Sequence, residues 1–390
     1  MSNLRGAINT SQFEQGIKKL DVRDFIFQLE PEEAPFVALL NKVRKESTKD
    51  VEFFWFEDRL VGKYTAISKT TNSVGYTAAA TSLVVDDADI FLPYDIVKNT
   101  RTDEVMLVTA VNVATNTITV RRGWGYTPAA AIQDDDPMFK LGNAQKEGWT
   151  APESMVTTKS RLSNYIQIFS RTVELTTTAN AVSTYGGNRR NYERKKVALE
   201  LKRDLESQLL FGEPKLDTSE GEPRYQTGGL LYFLKKGGSP NLNGNGKRMN
   251  KTAFDMFLRD AFTYGSSEKI LIASPMIIGQ INSFAEPYLK TDDGVKKSWG
   301  IRFQTYVNAF GTLQLISSRQ FVGAYSGWGI VIDPKEIVYR YLEGLDFKLS
   351  TDIQPPNTHK LLDEYHGQCG LEVHLAPKHA YIYNVTDAEN

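Results

Sequence analysis

The residues best suited to chemistry lie near the C-terminus, where all four histidines fall close together. They are His359, His366, His374 and His379, with Asp363, Glu364 and Cys369 between them. Zinc sites draw their ligands from recurrent spacings such as C-x2-C or H-E-x-x-H, and this segment contains none of them. We therefore predict no metal centre. Glu372 and His374 alternate with apolar residues, which predicts the polar face of a half-buried strand.

Two glycine-rich segments resemble phosphate-binding loops without meeting their requirements. The run that ends in Gly246 and Lys247 has Asn241 where the first glycine is needed and Arg248 in place of the Ser or Thr that holds magnesium. Gly123 and Gly125 lack the third glycine of a dinucleotide-binding turn. We predict a surface loop for residues 237–250 and a tight turn around Gly123.

The acidic runs do not define a site either. Asp86, Asp87 and Asp89, and again Asp134–Asp136, lack the alternating acidic and glycine pattern of a calcium loop, so turn formation explains them. Ser326 lies in GAYSGWG, which does not fit the nucleophile elbow of hydrolases. The sequence therefore predicts no catalytic residue, no cofactor and no metal ligand.

Composition excludes several classes of protein. The 390 residues carry 46 Lys and Arg against 47 Asp and Glu, a net charge of -1, and 41% are hydrophobic. This balance gives no global attraction to nucleic acid or membrane, and the length suits two or three domains. The first residues resemble no secretion signal and no apolar run reaches membrane-spanning length. We expect a protein made in the reducing cytoplasm, with its sole cysteine, Cys369, buried as a small hydrophobe.

The most informative element is a charged helix predicted over residues 191–211. Its apolar stripe is narrow, with Val197, Leu201, Leu205 and Leu209 four residues apart. Basic residues dominate from Arg189 to Arg203 and acidic residues from Asp204 to Glu222. This pattern predicts a strut laid across a sheet or a neighbouring subunit instead of a core helix, and its two charged ends favour a repeated contact between copies.

The other segments alternate between extended and compact α/β character. An N-terminal arm precedes the strand-like VEFFWFEDRL from Val51, and strand character returns after Thr150. Between them, residues 73–143 have the short, β-branched strands of a small barrel or sandwich, inserted at the tip of a long two-stranded loop.

A compact α/β region is predicted after residue 250. A helix capped by Thr252 comes first, followed by the buried strand KILIA and a helix that Ser274 and Pro275 open. Further strands are predicted at 303–309, 312–317 and 329–332, and the C-terminal segments are strands again. GGLLYFL from Gly228 is predicted to be a strand between loops.

This order of segments resembles the major capsid proteins of tailed bacteriophages, whose fold also occurs in the shell floor of herpesviruses. The segments that carry the resemblance are LEPEEAPF, EFFWFED, NYIQIFSRTVELT, YGG, RKKVALELKRDLE, TGGLLYFL, ILIASP, FGTLQLISSRQF, GIVIDP and GLEVHLAPKHAYI. The resemblance is nearest to the subset with a small β domain inserted in the extended loop.

The resemblance implies an α+β fold and a domain organisation. It places an N-terminal arm at 1–50 and an extended β-hairpin loop at 51–165, with the inserted small β-barrel at 73–143. The peripheral domain covers 166–249 and 341–390 and includes the long spine helix at 191–211. The axial domain covers 250–340.

The implied function is a major capsid protein that self-assembles into an icosahedral or prolate head shell around packaged double-stranded DNA. The implied partners are further copies in hexamers and pentamers, a portal and a decoration protein. Because the arm begins early, scaffolding by a separate protein, or none, is implied. Contact with DNA is expected to be non-specific, through the basic half of the spine helix. The expected location is the virion, after assembly in the host cytoplasm.

We predict subunit contacts at aromatic residues of the arm and loop, which we expect one subunit to leave unburied, and at charged residues of the spine helix. They are Phe25, Phe27, Phe36, Phe53, Trp55, Arg194, Lys195, Glu200, Arg203, Asp204 and Glu206. Two other interpretations remain open. A phage tail or baseplate component, or a carbohydrate-binding module, would use the β-rich stretch, whereas a phage-associated hydrolase would need paired acids in a pocket.

Overall fold

The chain divides into two compact units. The computed structural model describes residues 34–40, 43–68, 75–151, 154–182, 188–285, 289–290 and 304–388. The large unit comprises Met1–Trp55 and Leu162–Asn390, and the small unit comprises Phe56–Arg161.

Six α-helices lie in the described part of the chain. They are α1 Pro35–Leu40, α2 Thr177–Ala181, α3 Arg189–Phe211, α4 Leu230–Lys236, α5 Lys251–Ala261 and α6 Pro275–Ala285. The strands up to the return from the small unit are β1 Arg44–Thr48, β2 Glu52–Glu57, β3 Tyr64–Ala66, β4 Ser82–Val84, β5 Asp95–Asn99, β6 Val105–Asn112, β7 Thr117–Arg121, β8 Pro137–Asn143 and β9 Ser160–Tyr165. The remaining strands are β10 Gln167–Thr176, β11 Lys215–Asp217, β12 Arg224–Gln226, β13 Asn241–Lys247, β14 Glu268–Ala273, β15 Leu289–Lys290, β16 Gln304–Asn308, β17 Gly311–Ser317, β18 Gly329–Ile332, β19 Ile337–Leu342, β20 Lys348–Ser350, β21 Lys360–Val373 and β22 Ala380–Val385.

The large unit is built on two sheets of mixed direction. The first has the order β1-β19-β21-β10, with β20 also paired to β21, and the second has the order β13-β22-β18-β14-β17-β16-β15. Strand β14 is central, parallel to β17 and antiparallel to β18. Its residues 269–273 are all buried, as expected for a strand covered on both faces.

Two apolar clusters fill the large unit. One joins the first sheet to α1, α3 and α4, and includes Phe36, Trp55, Leu209 and Leu371. The other packs α5 and α6 onto the second sheet. The helices α1, α3, α4, α5 and α6 therefore contribute buried apolar side chains to these clusters, which is the usual way for such elements to exclude water.

The small unit contains a six-stranded antiparallel sheet with the order β3-β8-β5-β6-β7-β4. The chain just beyond its two edge strands also pairs, at Ile67 and Val85, where Ser68 N–H donates to Val84 C=O at 3.0 Å. The sheet thereby closes on itself around a separate apolar core. Closure protects edge strands that would otherwise offer unpaired backbone groups. Strands β2 and β9, which lead into and out of this unit, pair with each other.

Several predicted elements are confirmed with small shifts of boundary. The charged helix begins two residues earlier than predicted, at Arg189, because Asn188 caps it by accepting from Asn191 N–H. Strands β14, β16, β17 and β18 occur where the apolar runs predict them. Ser274 opens α6 by accepting from Ile277 N–H at 3.2 Å.

Three local predictions are wrong. GGLLYFL is the helix α4, because Leu230, Phe233 and Leu234 recur at helical spacing on a buried face. Residues 241–247 form the edge strand β13, although their Asn and Gly content favours a loop; parallel pairing with β22 overrides that preference. Asn250, not Thr252, caps α5 by accepting from Ala253 N–H at 2.8 Å.

Candidate assembly surfaces

The spine helix α3 has two different halves. It lies along β10 and packs against α1 and α4. Its C-terminal half is buried through Leu201, Leu205, Leu209 and Leu210, whereas Lys195 and Lys196 in its N-terminal half are exposed. The prediction that this is not a core helix is therefore wrong for the C-terminal half, which finds its apolar cover within the same subunit.

Two arginines tie the N-terminal half of α3 to strand β21. Arg190 and Arg194 donate to the two carboxylate oxygens of Asp363, with Arg194 Nε to Oδ2 at 2.8 Å. The Asp363 side chain is 1% exposed. The hydrogen bond from Arg190 lowers the pKa of Asp363 against the opposing effect of burial. Because the charge is compensated, this buried carboxylate holds the helix onto the sheet.

Glu206 lies at the junction of α3, α1 and the loop after β17. Its side chain is fully buried and accepts from Ser318 Oγ at 3.1 Å and from Val37 N–H at 3.5 Å. Burial raises the pKa of Glu206 to about 7, since a carboxylate loses its hydration there. The acid therefore serves as an internal link between the arm helix and the spine helix, and its predicted role in subunit contacts stays a prediction.

The remaining charged candidates on α3 lie nearer the surface. Asp204 binds Arg171 of β10 at 2.5 Å, and Glu200 lies 3.8 Å from the same guanidinium. Arg203 is half-buried. Their predicted role in subunit contacts stays a prediction, as does that of exposed Lys195 and of Arg194.

The aromatic candidates lie differently from expectation. Phe36 is fully buried, and Phe53 and Trp55 are each 6% exposed, all within the core of the large unit. The expectation that one subunit leaves Phe53 and Trp55 unburied is wrong, because alternation along β2 turns both rings inward while Phe54 and Phe56 face out. Phe56 is 68% exposed and was missed, although the same alternation in the sequence would have found it. Phe25 and Phe27 lie outside the described residues.

The histidine-rich segment is a structural network in the large unit. Glu372 is 3% exposed, bound by Arg340 and by His374 at 2.6 Å, and Arg340 also pairs with Glu46 of β1 at 2.5 Å. Burial opposes ionisation of Glu372, but these hydrogen bonds prevail and its pKa is lowered. The predicted polar face of a half-buried strand is therefore wrong for Glu372, which is buried because strand β21 is covered where it meets β19.

Neither a metal site nor a membrane span emerges in the described part of the chain. No three His, Cys, Asp or Glu side chains converge there as metal ligands. His379 is fully buried and accepts from Asp333 N–H through Nδ1 at 3.1 Å, while burial lowers its pKa to about 4. None of the described helices combines the length and hydropathy needed to cross a membrane.

The small unit is fixed by buried ion pairs and carries apolar side chains on its surface. Arg122 and Glu104 form two hydrogen bonds of 2.8 Å, and Glu104 also accepts from the backbone of Gly123 and Ala130. These bonds outweigh burial and lower the pKa of Glu104.

The exposed large apolar side chains of this unit are Phe56, Leu60, Tyr64, Val113, Trp124, Tyr126, Phe139, Leu141, Trp149 and Val156.

The fold matches solved capsid structures over nearly its whole length. The capsid subunit of a native GTA particle superposes with a TM-score of 0.51, covering 96% of this chain and 99% of its own, at 8% identity. A chain from Mycobacterium phage Bobi gives a TM-score of 0.51, covering 98% and 99%, at 7% identity. The molecule therefore has the α+β fold of phage capsid subunits.

The chain belongs to the SU10 major capsid protein family, whose model matches residues 8–386. It is also 22% identical over 361 residues to the major capsid protein of Pseudomonas phage PaMx41, covering 90% of this chain and 85% of that relative. It is thus a structural subunit of a phage capsid shell and a component of the virion. This finding selects the capsid interpretation over a tail component, a carbohydrate-binding module or a hydrolase. Membership of the subset with an inserted β domain stays a prediction.

Proposed function

We propose that the chain builds a closed head shell from hexamers and pentamers of itself, and that the shell encloses packaged double-stranded DNA without catalysing a reaction. The observation that carries this proposal is the family match across residues 8–386, joined to a fold whose similarity to capsid subunits extends over nearly the whole chain. Assembly takes place in the host cytoplasm, with a portal, a separate scaffolding protein and a decoration protein as partners.

The predicted domains have distinct roles in this proposal. The region 250–340 points to the local symmetry axis of each capsomer, whereas the arm at 1–50 and the extended loop at 51–165 contact neighbouring subunits. The peripheral domain, 166–249 and 341–390, forms the body that carries the spine helix. Phe56 adds an exposed apolar contact on the extended loop, and Lys195, Glu200, Arg203 and Asp204 supply charged contacts on the spine helix.

Contact with DNA is proposed to be electrostatic and independent of sequence. Arg190 and Arg194 in the basic half of α3 are bound to Asp363, which leaves exposed Lys195 and Lys196 as the cations best placed to meet phosphate. Phosphate contacts of this kind weaken steeply as salt rises, because binding releases counterions.

Nuclease protection tests the enclosure of DNA. Particles purified from infected cells should protect genome-length DNA from added nuclease until the shell is disrupted, and the chain should be their most abundant protein. Release of DNA from opened shells should increase with salt and increase further in a Lys195→Glu/Lys196→Glu variant. Particles that contain the chain but leave the DNA open to nuclease would contradict the proposal.

A further inference from the structure

A groove on the large unit combines an apolar floor with a basic rim. It has a volume of about 410 Å³ and lies between α1, α3 and the strands β19, β20 and β21. Its apolar lining includes Val37, Leu40, Leu201, Leu205, Phe347 and Leu349. Grooves of this size accept a few large side chains.

The charged groups at the groove are mostly basic. Lys45, Lys202 and Lys348 line it and are exposed, against a single acid, Asp346. That acid is already engaged, since it accepts from Phe347 N–H at 2.8 Å and from Tyr339 Oη at 3.3 Å. None of the three lysines forms an ion pair with another described residue. The groove therefore fits an occupant that is both apolar and acidic.

The chain itself contains such a segment directly before α1 in the sequence. Residues 24–33 read DFIFQLEPEE, with four acidic residues, no basic residue and the apolar Phe25, Ile26, Phe27 and Leu29. This segment, which lies outside the described residues, joins through Ala34 directly to α1, whose Val37 and Leu40 form part of the groove wall. Phe27 is seven residues from Ala34, a reach of at most about 25 Å.

We propose that the groove holds the segment Asp24–Glu33 of the same chain, with its aromatic side chains on the apolar floor and its carboxylates on the three lysines. The inference goes beyond the proposed function, because it assigns Phe25 and Phe27 to their own subunit in place of the predicted contact with a neighbour. Docking would anchor the arm to the spine helix at a second place besides the Glu206 junction. Opposite charges at the rim would set which way the segment lies.

Hydrogen–deuterium exchange of the full-length chain tests this docking. Backbone amides of residues 25–33 should be protected in the unaltered protein, and Lys202→Glu/Lys348→Glu should speed their exchange about tenfold by converting attraction into repulsion. Lys195→Glu/Lys196→Glu is the matched control, with the same charge change on the same helix at two positions that do not line the groove, and should leave the exchange unchanged.

Substitutions in the segment itself provide a second test, because they leave the residues that form the groove unaltered. The Glu32→Lys/Glu33→Lys variant should lose the protection of its amides at residues 25–33. Combining it with Lys202→Glu/Lys348→Glu should restore that protection, because the charges are then opposite again. Equal exchange in all variants, or no protection in the unaltered chain, would overturn the proposal. Protection that grows with protein concentration would also overturn it, because it would identify a second copy as the occupant.

Discussion

Glu206 shows how one residue links separate segments of the chain. Its fully buried carboxyl group joins the spine helix to Val37 of the arm helix and to Ser318. The helical pattern in the sequence identified the position as charged and placed it on the surface. The pattern does not show which segments pack over the turn of α3 that carries Glu206, because those segments are distant in sequence.

Glu206 makes stability fall with rising pH. Its pKa is about 7 in the folded protein against about 4.3 unfolded, so the folded state binds the proton more tightly and loses stability as pH rises between those values. Glu206→Gln mimics the neutral form and should be more stable than the unaltered chain by about 1–3 kcal/mol at pH 8, with little gain at pH 4. Urea denaturation at both pH values measures this. An identical pH dependence in both proteins would show that Glu206 does not titrate in this window.

Asp363 should act in the opposite direction. Its pKa is lowered in the folded protein by Arg190 and Arg194, so its contribution is present at neutral pH and is lost as pH falls below the unfolded value of about 3.9. Asp363→Asn should cost about 2–4 kcal/mol at pH 7, because two arginines lose their partner. Asp204→Asn, which breaks an exposed pair with Arg171, should cost less than about 1 kcal/mol. Equal losses in thermal or urea unfolding would refute the special role of Asp363.

At the scale of elements, hydrophobic periodicity predicted the helices and strands that local sequence determines. It missed the features that depend on packing against segments distant in sequence. The C-terminal end of α3 and the position of β14 were predicted correctly, whereas the start of α3 was placed two residues too late because the cap Asn188 was not recognised. Alternation along β2 was enough to assign its inward and outward faces. It could not show that the inward rings are buried, because Trp55 is covered by Phe233 of α4, which is distant in sequence. Strand β13 exists only because β22 lies beside it.

The two units have separate apolar cores, so a core substitution in one unit should destabilise that unit and leave the other folded. Leu209 and Met106 are both fully buried, the first in the large unit and the second in the small unit. Leu209→Ala and Met106→Ala should each cost about 2–5 kcal/mol in their own unit. Hydrogen exchange should accelerate mainly in residues 162–285 and 304–388 for Leu209→Ala, and mainly in 56–161 for Met106→Ala. Acceleration throughout the chain in both variants would show that the units unfold together.

At the scale of the whole molecule, the capsid interpretation came from the order of many weak segments, because no motif in the chain has catalytic spacing. The fold and the family were therefore predictable from the sequence. Burial was predicted less well: the sequence shows which side chains are apolar or charged, but Phe36, Phe53 and Glu206 are covered by elements that are distant in sequence.

Electron microscopy combined with sedimentation, on the purified chain and on the chain coexpressed with its genomic neighbours, tests the central claim most directly. A subunit that forms a head shell should sediment as large particles or capsomer rings and appear as hollow shells with five-fold and six-fold groups. A soluble monomer under every condition, including coexpression, would contradict self-assembly as the function of this chain.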